Sequence, residues 1–182
     1  MSRGTLALER VAIGLASLAL SVGLIAVLSG FFAGRDQAGV SAPALVPGQS
    51  FPDQGHRVLA RDRADPRYDS DPPTSGPHHA APVRRDGTPL SDDQLLTALA
   101  AGDLVVAYGG RTPPAGLPAL VRREAAPFSP ALAAAGQAIL LVPRPATRGI
   151  IALAWAHMLR TTRSDDPVLR DFLNYWLGRG AP

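Results

Sequence analysis

Residues 91–110 read Ser-Asp-Asp-Gln-Leu-Leu-Thr-Ala-Leu-Ala-Ala-Gly-Asp-Leu-Val-Val-Ala-Tyr-Gly-Gly, and they decide the fold. Ser91 with Gln94 forms a capping box, and Leu90 can staple onto Leu95. Asp92 and Asp93 suit the positive end of a helix dipole. Leu95, Leu96 and Leu99 make one apolar face, and Gly102 is a natural stop. Leu104 to Tyr108 then reads as a buried strand closed by Gly109-Gly110. A short capped helix running straight into an apolar strand predicts a mixed domain.

Downstream, Leu117–Arg123 and Pro130–Ala135 predict two short helices, the second capped by Ser129 and stopped by Gly136. Gln137–Val142 predicts another apolar strand. From Gly149 to Arg160 large residues alternate with small ones, a period of two that predicts a strand. Asp166-Pro167 opens a last helix with Leu169, Phe172, Leu173 and Trp176 on its inner face. The expectation is an α+β fold, a small mixed sheet flanked by helices. The hairpin Gln137–Arg160 followed by a helix also fits a thioredoxin-like order. A short early strand is expected near His56–Ala60.

Upstream the chain changes character. Residues 61–90 hold six Pro and ten charges, and no regular element fits them. Residues 35–52, with Pro43, Pro47 and Pro52, read as a Pro-rich tether whose ends lie roughly 25 Å apart. Residues 11–34 form a run of 24 uncharged residues, including five Leu, three Val, two Ile and two Phe. As a helix that run reaches about 36 Å, against about 30 Å of hydrocarbon. A cleaved signal peptide is disfavoured by this length and by Phe31 at the −3 position of the nearest cleavage site. Arg3 and Arg10 precede the run and Arg35 follows it, so residues 1–10 are expected in the cytoplasm. The expectation is therefore a single-pass cell-membrane protein, contacting the bilayer through residues 11–34, with a globular domain at 53–182 outside the cytoplasm.

Composition removes several functions. The chain of 182 residues has no Cys, which excludes disulfides, thiolate metal sites and a Cys nucleophile. Its net charge is only +3, and Asp is interspersed with Arg along 61–85, so no nucleic-acid stripe appears.

Tyr68-Asp69-Ser70-Asp71-Pro72-Pro73-Thr74-Ser75-Gly76-Pro77-His78 resembles the Y-x-x-x-P-P-T-S-G-P-H hallmark of the domain of unknown function 3105 family. Gln54-Gly55-His56, Val142-Pro143-Arg144-Pro145 and Ala154-Trp155 resemble further landmarks of that family, which is bacterial and often membrane-anchored. The resemblance implies H-S-L-E-H-G on the helix before the central strand. This chain has Thr97-Ala98-Leu99-Ala100-Ala101-Gly102 there, so the implied His/Glu set is replaced by side chains that neither bind metal nor carry protons.

The remaining chemistry-bearing residues are few. His78 and His79, with His56, Asp69 and Asp71 near in sequence, are the candidate ligands for a divalent metal, although no recognised spacing is present. The bland reading is a rigid proline-fixed loop in which His78 bonds a backbone carbonyl. Ser75 with His78 could form a nucleophile and base, but no nucleophile elbow surrounds them. His157, Tyr108, Trp155 and Trp176 read as core. Asp92-Asp93 and Asp165-Asp166 read as helix N-terminal acids, and Arg84-Arg85 and Arg122-Arg123 as solvated pairs. The function expected is a non-catalytic binding or assembly module with a membrane-protein partner; the alternative is metal handling by His56, His78 and His79.

Overall fold

The computed structural model describes residues 46–182 except Asp65. The expected membrane anchor at 11–34 and most of the tether lie outside the described residues, among which no helix is long and apolar enough to cross a bilayer. The described chain runs β1 (Gln49–Ser50), α1 (Asp92–Ala101), β2 (Leu104–Tyr108), α2 (Leu117–Glu124), α3 (Pro130–Ala134), β3 (Ile139–Pro143), β4 (Ile150–Ala154), β5 (His157–Thr161) and α4 (Pro167–Trp176). The five strands form one sheet in the order β1-β5-β4-β2-β3. β2 and β3 are parallel; every other pairing is antiparallel.

The central strands are buried on both faces, which is why β2 reads as a continuous apolar run. Alternation then splits the core in two. Val105, Ala107, Leu140, Val142, Ile151 and Leu153 face α1. Leu104, Val106, Leu141, Ile150, Ala152 and Ala154 face α2 and α4. β3 is an edge strand, and Asp86 covers part of it by accepting the Leu141 N–H at 2.7 Å.

α1 starts as its sequence demands. Ser91 Oγ accepts from Gln94 N at 3.2 Å, and Gln94 Oε1 accepts from Ser91 N at 3.1 Å. Ser91→Ala is expected to cost about 1 kcal/mol, read as a lower urea midpoint at unchanged slope. At the other end Gly102 takes φ +107°, and its carbonyl accepts from Gly178 N at 2.9 Å. Gly136 packs directly on this turn, where a Cβ would overlap the Ala101 carbonyl oxygen. Close backbone approach by glycine thus fixes where α1 hands over to β2.

Three expectations need correction. Gly149–Arg160 is not one strand. β4 and β5 are joined at Trp155-Ala156, with Ala154 paired to His157. A two-residue turn preserves the alternation in sequence, so the period could not reveal it. In space the turn puts Ile151 and Leu153 on one face and Leu159 on the other. Nor does β3 pair with β4, because β2 lies between them, so Gln137–Arg160 is not a single hairpin. Finally, residues 46–52 belong to the folded unit rather than to the tether. β1 pairs with β5, Trp176 Nε1 donates to Pro47 O at 2.9 Å, and Gly48 sits against the Phe172 ring. Prolines exclude helix there but do not exclude edge pairing.

The expected early strand reduces to one parallel bridge, Val58 with His78. Tyr108 and Trp155 are buried as expected, and Trp176 is partly buried.

Candidate functional site

The proline-rich segment is an ordered cover. Pro72 to Gly76 are all buried, and Asp71-Pro72 is a cis peptide. Thr74 O accepts from Ala156 N at 2.9 Å, and Ala156 O accepts from Phe51 N at 2.8 Å. Those two bonds hold the β4–β5 turn, where Ala156 has φ +58° without being glycine. Left-handed backbone is costly for a residue with a Cβ, so the turn depends on support from outside its own hairpin. The segment around Thr74 supplies it.

The hydroxyl and imidazole groups of this segment are committed to the fold. Ser75 is fully buried; its Oγ donates to Pro52 O at 3.1 Å and accepts from Gln54 N at 3.1 Å. Ser70 Oγ accepts from Thr74 N at 3.2 Å. His78 is 3% exposed, and its Nδ1 lies 2.9 Å from Gly76 O. That nitrogen must carry a hydrogen, because a carbonyl can only accept. Ser75 and His78 thus bond to backbone partners rather than to each other, and the pair does not have the geometry of an activated nucleophile.

The candidate metal ligands face different partners. His56 is exposed and lies edge-on to Trp155, with ring centroids 6.3 Å apart. His79 Nε2 donates to Arg63 O at 3.1 Å, and its backbone N–H donates to Asp93 Oδ1 at 2.8 Å. Asp71 pairs with Arg144 at 2.8 Å, tying the segment to the end of β3. Among the described residues, no three His, Asp or Glu side chains are grouped so as to hold a metal ion. His157 lies on the sheet face opposite α1, its Nδ1 2.8 Å from Trp155 O and its ring stacked on Trp176 at 3.7 Å.

Beside this cover lies an open cleft of about 320 Å³ between α1, α3 and residues 82–84. Thr97 and Ala101, two of the positions where the resemblance implies His, line it. Thr97 Oγ1 accepts from Ala81 N at 3.1 Å and pins residues 79–81 to α1. Val83, Ala98, Pro130 and Ala133 make much of the remaining wall apolar, and Arg84 stands at its exposed side.

Asp103 also lines this cleft, and sequence reasoning missed it. It is only 2% exposed, with Oδ1 accepting from Ala138 N at 2.8 Å. Burial pushes its carboxyl up to about 6, and the Ala138 N–H opposes that rise. A carboxylate wedged between a helix stop and a wholly apolar strand was the available signal.

This shift fixes a sign. The folded state holds the Asp103 proton more tightly than the unfolded chain, whose value is 3.8. Its favourable contribution is present at low pH and is lost as pH rises toward and through about 6. Asp103→Asn keeps the acceptor for Ala138 and removes the charge. It should unfold about 1–2 kcal/mol harder than wild type at pH 7.5, after discounting for access of water to the cleft. The gap should close near pH 4, which urea melts at both pH values would read.

A mixed sheet with helices on both faces, a proline-rich cover over one hairpin and an open cleft beside it define the class: an α+β domain. The family model described as Protein of unknown function (DUF3105) matches residues 61–181, and the chain belongs to that family. No curated protein and no solved structure matches the chain.

Proposed function

We propose that this chain is a single-pass membrane protein, anchored through residues 11–34, whose domain outside the cytoplasm is a non-catalytic binding or assembly module. The observation that carries this reading is the contrast between two neighbouring surfaces. The hydroxyl and imidazole groups of the Pro72–His79 segment bond to the fold, whereas the cleft beside it is open and largely apolar. Ligand sites generally look like the second of these. The strand order supports a thioredoxin-like arrangement, with a parallel β-α-β unit followed by an antiparallel hairpin and a closing helix. That likeness concerns topology and implies no redox work.

The test is purification of the full chain from detergent after mild crosslinking, beside an Ala101→Leu variant that fills the cleft. A partner that accompanies wild type and is lost from the variant is the expected result. A monomer without associates, under conditions that preserve membrane complexes, would count against it. Elemental analysis of the same preparation addresses the competing reading. One divalent ion per chain, lost in His78→Ala/His79→Ala, would favour metal handling by His56, His78 and His79.

A further inference from the structure

The cleft has a feature that an apolar partner surface does not need. Asp103 stands in its lining with one carboxylate oxygen fixed by Ala138 N. The second oxygen accepts no hydrogen bond among the described residues. It is not sealed either, since the one sealed side-chain polar atom without a partner among those residues is Trp155 Nε1. A carboxylate oxygen that is unpartnered and still accessible in an apolar recess has unspent acceptor capacity. Of the other residues lining the cleft, Arg84 alone carries a charge, and its side chain is exposed. Water screens a cation in that position far more than it screens a carboxylate that is 2% exposed.

Charge complementarity and shape then select the occupant. We propose that the cleft binds an organic ammonium ion carried on an apolar body, its charged head on the free oxygen of Asp103 and its body against Val83, Ala98 and Ala133. This deepens the binding-module reading and rests on it. The volume of about 320 Å³ suits a small aromatic or alicyclic amine and leaves little room for a larger ligand. A neutral or anionic analogue of the same shape gains the apolar contacts but no charged hydrogen bond.

The test uses the full chain in detergent micelles, with backbone amide resonances of Ala98, Ala101 and Ala133 as reporters. Benzylammonium, benzyl alcohol and benzoate are titrated in parallel. Saturable shifts at these amides with benzylammonium, at least tenfold weaker with the other two, are expected. Binding should be about tenfold weaker at pH 5 than at pH 7, because the carboxylate is then mostly protonated. Asp103→Asn should bind at least tenfold more weakly with an unchanged spectrum elsewhere. Ala101→Leu, at an exposed position, should block the cleft without touching the charge.

Equal shifts with all three probes, unaffected by Asp103→Asn, would overturn the ammonium assignment and leave the binding cleft standing. Shifts that persist in Ala101→Leu would place the probe elsewhere and overturn it too. If no probe moves the cleft amides while a crosslinked partner is still lost in Ala101→Leu, the small-ligand inference falls and the module reading survives. If neither occurs, both fall.

Discussion

Phe172→Ala is expected to lower the unfolding free energy by about 3–5 kcal/mol. Phe172 is fully buried on α4 and belongs to the cluster that holds Ala152 and Ala154 of β4. Small residues on that sheet face leave the space that the phenyl ring fills. The ring also lies against Gly48, where an added Cβ would come within 2.6 Å of it, so it holds the segment leading into β1. Truncation removes transfer energy and leaves a cavity that rigid strands cannot close. The loss would be a large fraction of a typical domain's stability. Urea unfolding followed by tryptophan fluorescence reads it directly, and Phe172→Leu should recover most of the loss. A cost below about 1 kcal/mol for the alanine variant would mean that α4 is not packed as described.

Ser75→Ala comes next, with an expected cost of about 2 kcal/mol. The substitution removes one oxygen, but that oxygen serves two backbone groups, the Pro52 carbonyl and the Gln54 N–H. Ser75 itself is fully buried, but Pro52 and Gln54 are exposed, so each lost bond costs about 1 kcal/mol rather than a full desolvation penalty. The measurement is the urea midpoint, and the variant should also lose protection from hydrogen exchange at the Gln54 amide. A nucleophilic serine would behave in the opposite way, since nucleophiles are seldom structural ties. If Ser75→Ala is as stable as wild type, the structural reading of this residue fails.

The core of the domain was legible in residues 91–110. The capping box, the leucine face, the Gly102 stop and the apolar strand that follows all stand where the local chemistry puts them. Local rules suffice there because caps and periodicity act within one turn or one strand. They fail at Trp155-Ala156. The turn has no glycine, its left-handed residue is held by Thr74 from about 80 positions away, and its length keeps the alternation in phase. They also fail at residues 46–52, whose order comes from β5 and α4 at the far end of the chain.

Site chemistry divides along the same line. His78 bonding a backbone carbonyl could be read from a proline-fixed loop, and it does so through Gly76 O. Asp103 could not be recognised as a cleft residue, because its burial depends on Gly136 and α3 docking onto the end of α1. Its place between Gly102 and an apolar strand marks it as unusual but does not say which helix will cover it.

The Pro72–His79 segment acts as a strut that closes over the β4–β5 turn. Native-state hydrogen exchange at the Ala156 amide tests that most directly, because this N–H is bonded to Thr74 O and to nothing in its own hairpin. The amide should exchange about as slowly as those of β4, and Ser75→Ala should speed it at least tenfold. Rapid exchange in the wild-type chain, at the rate of a solvent-exposed hairpin tip, would contradict the account.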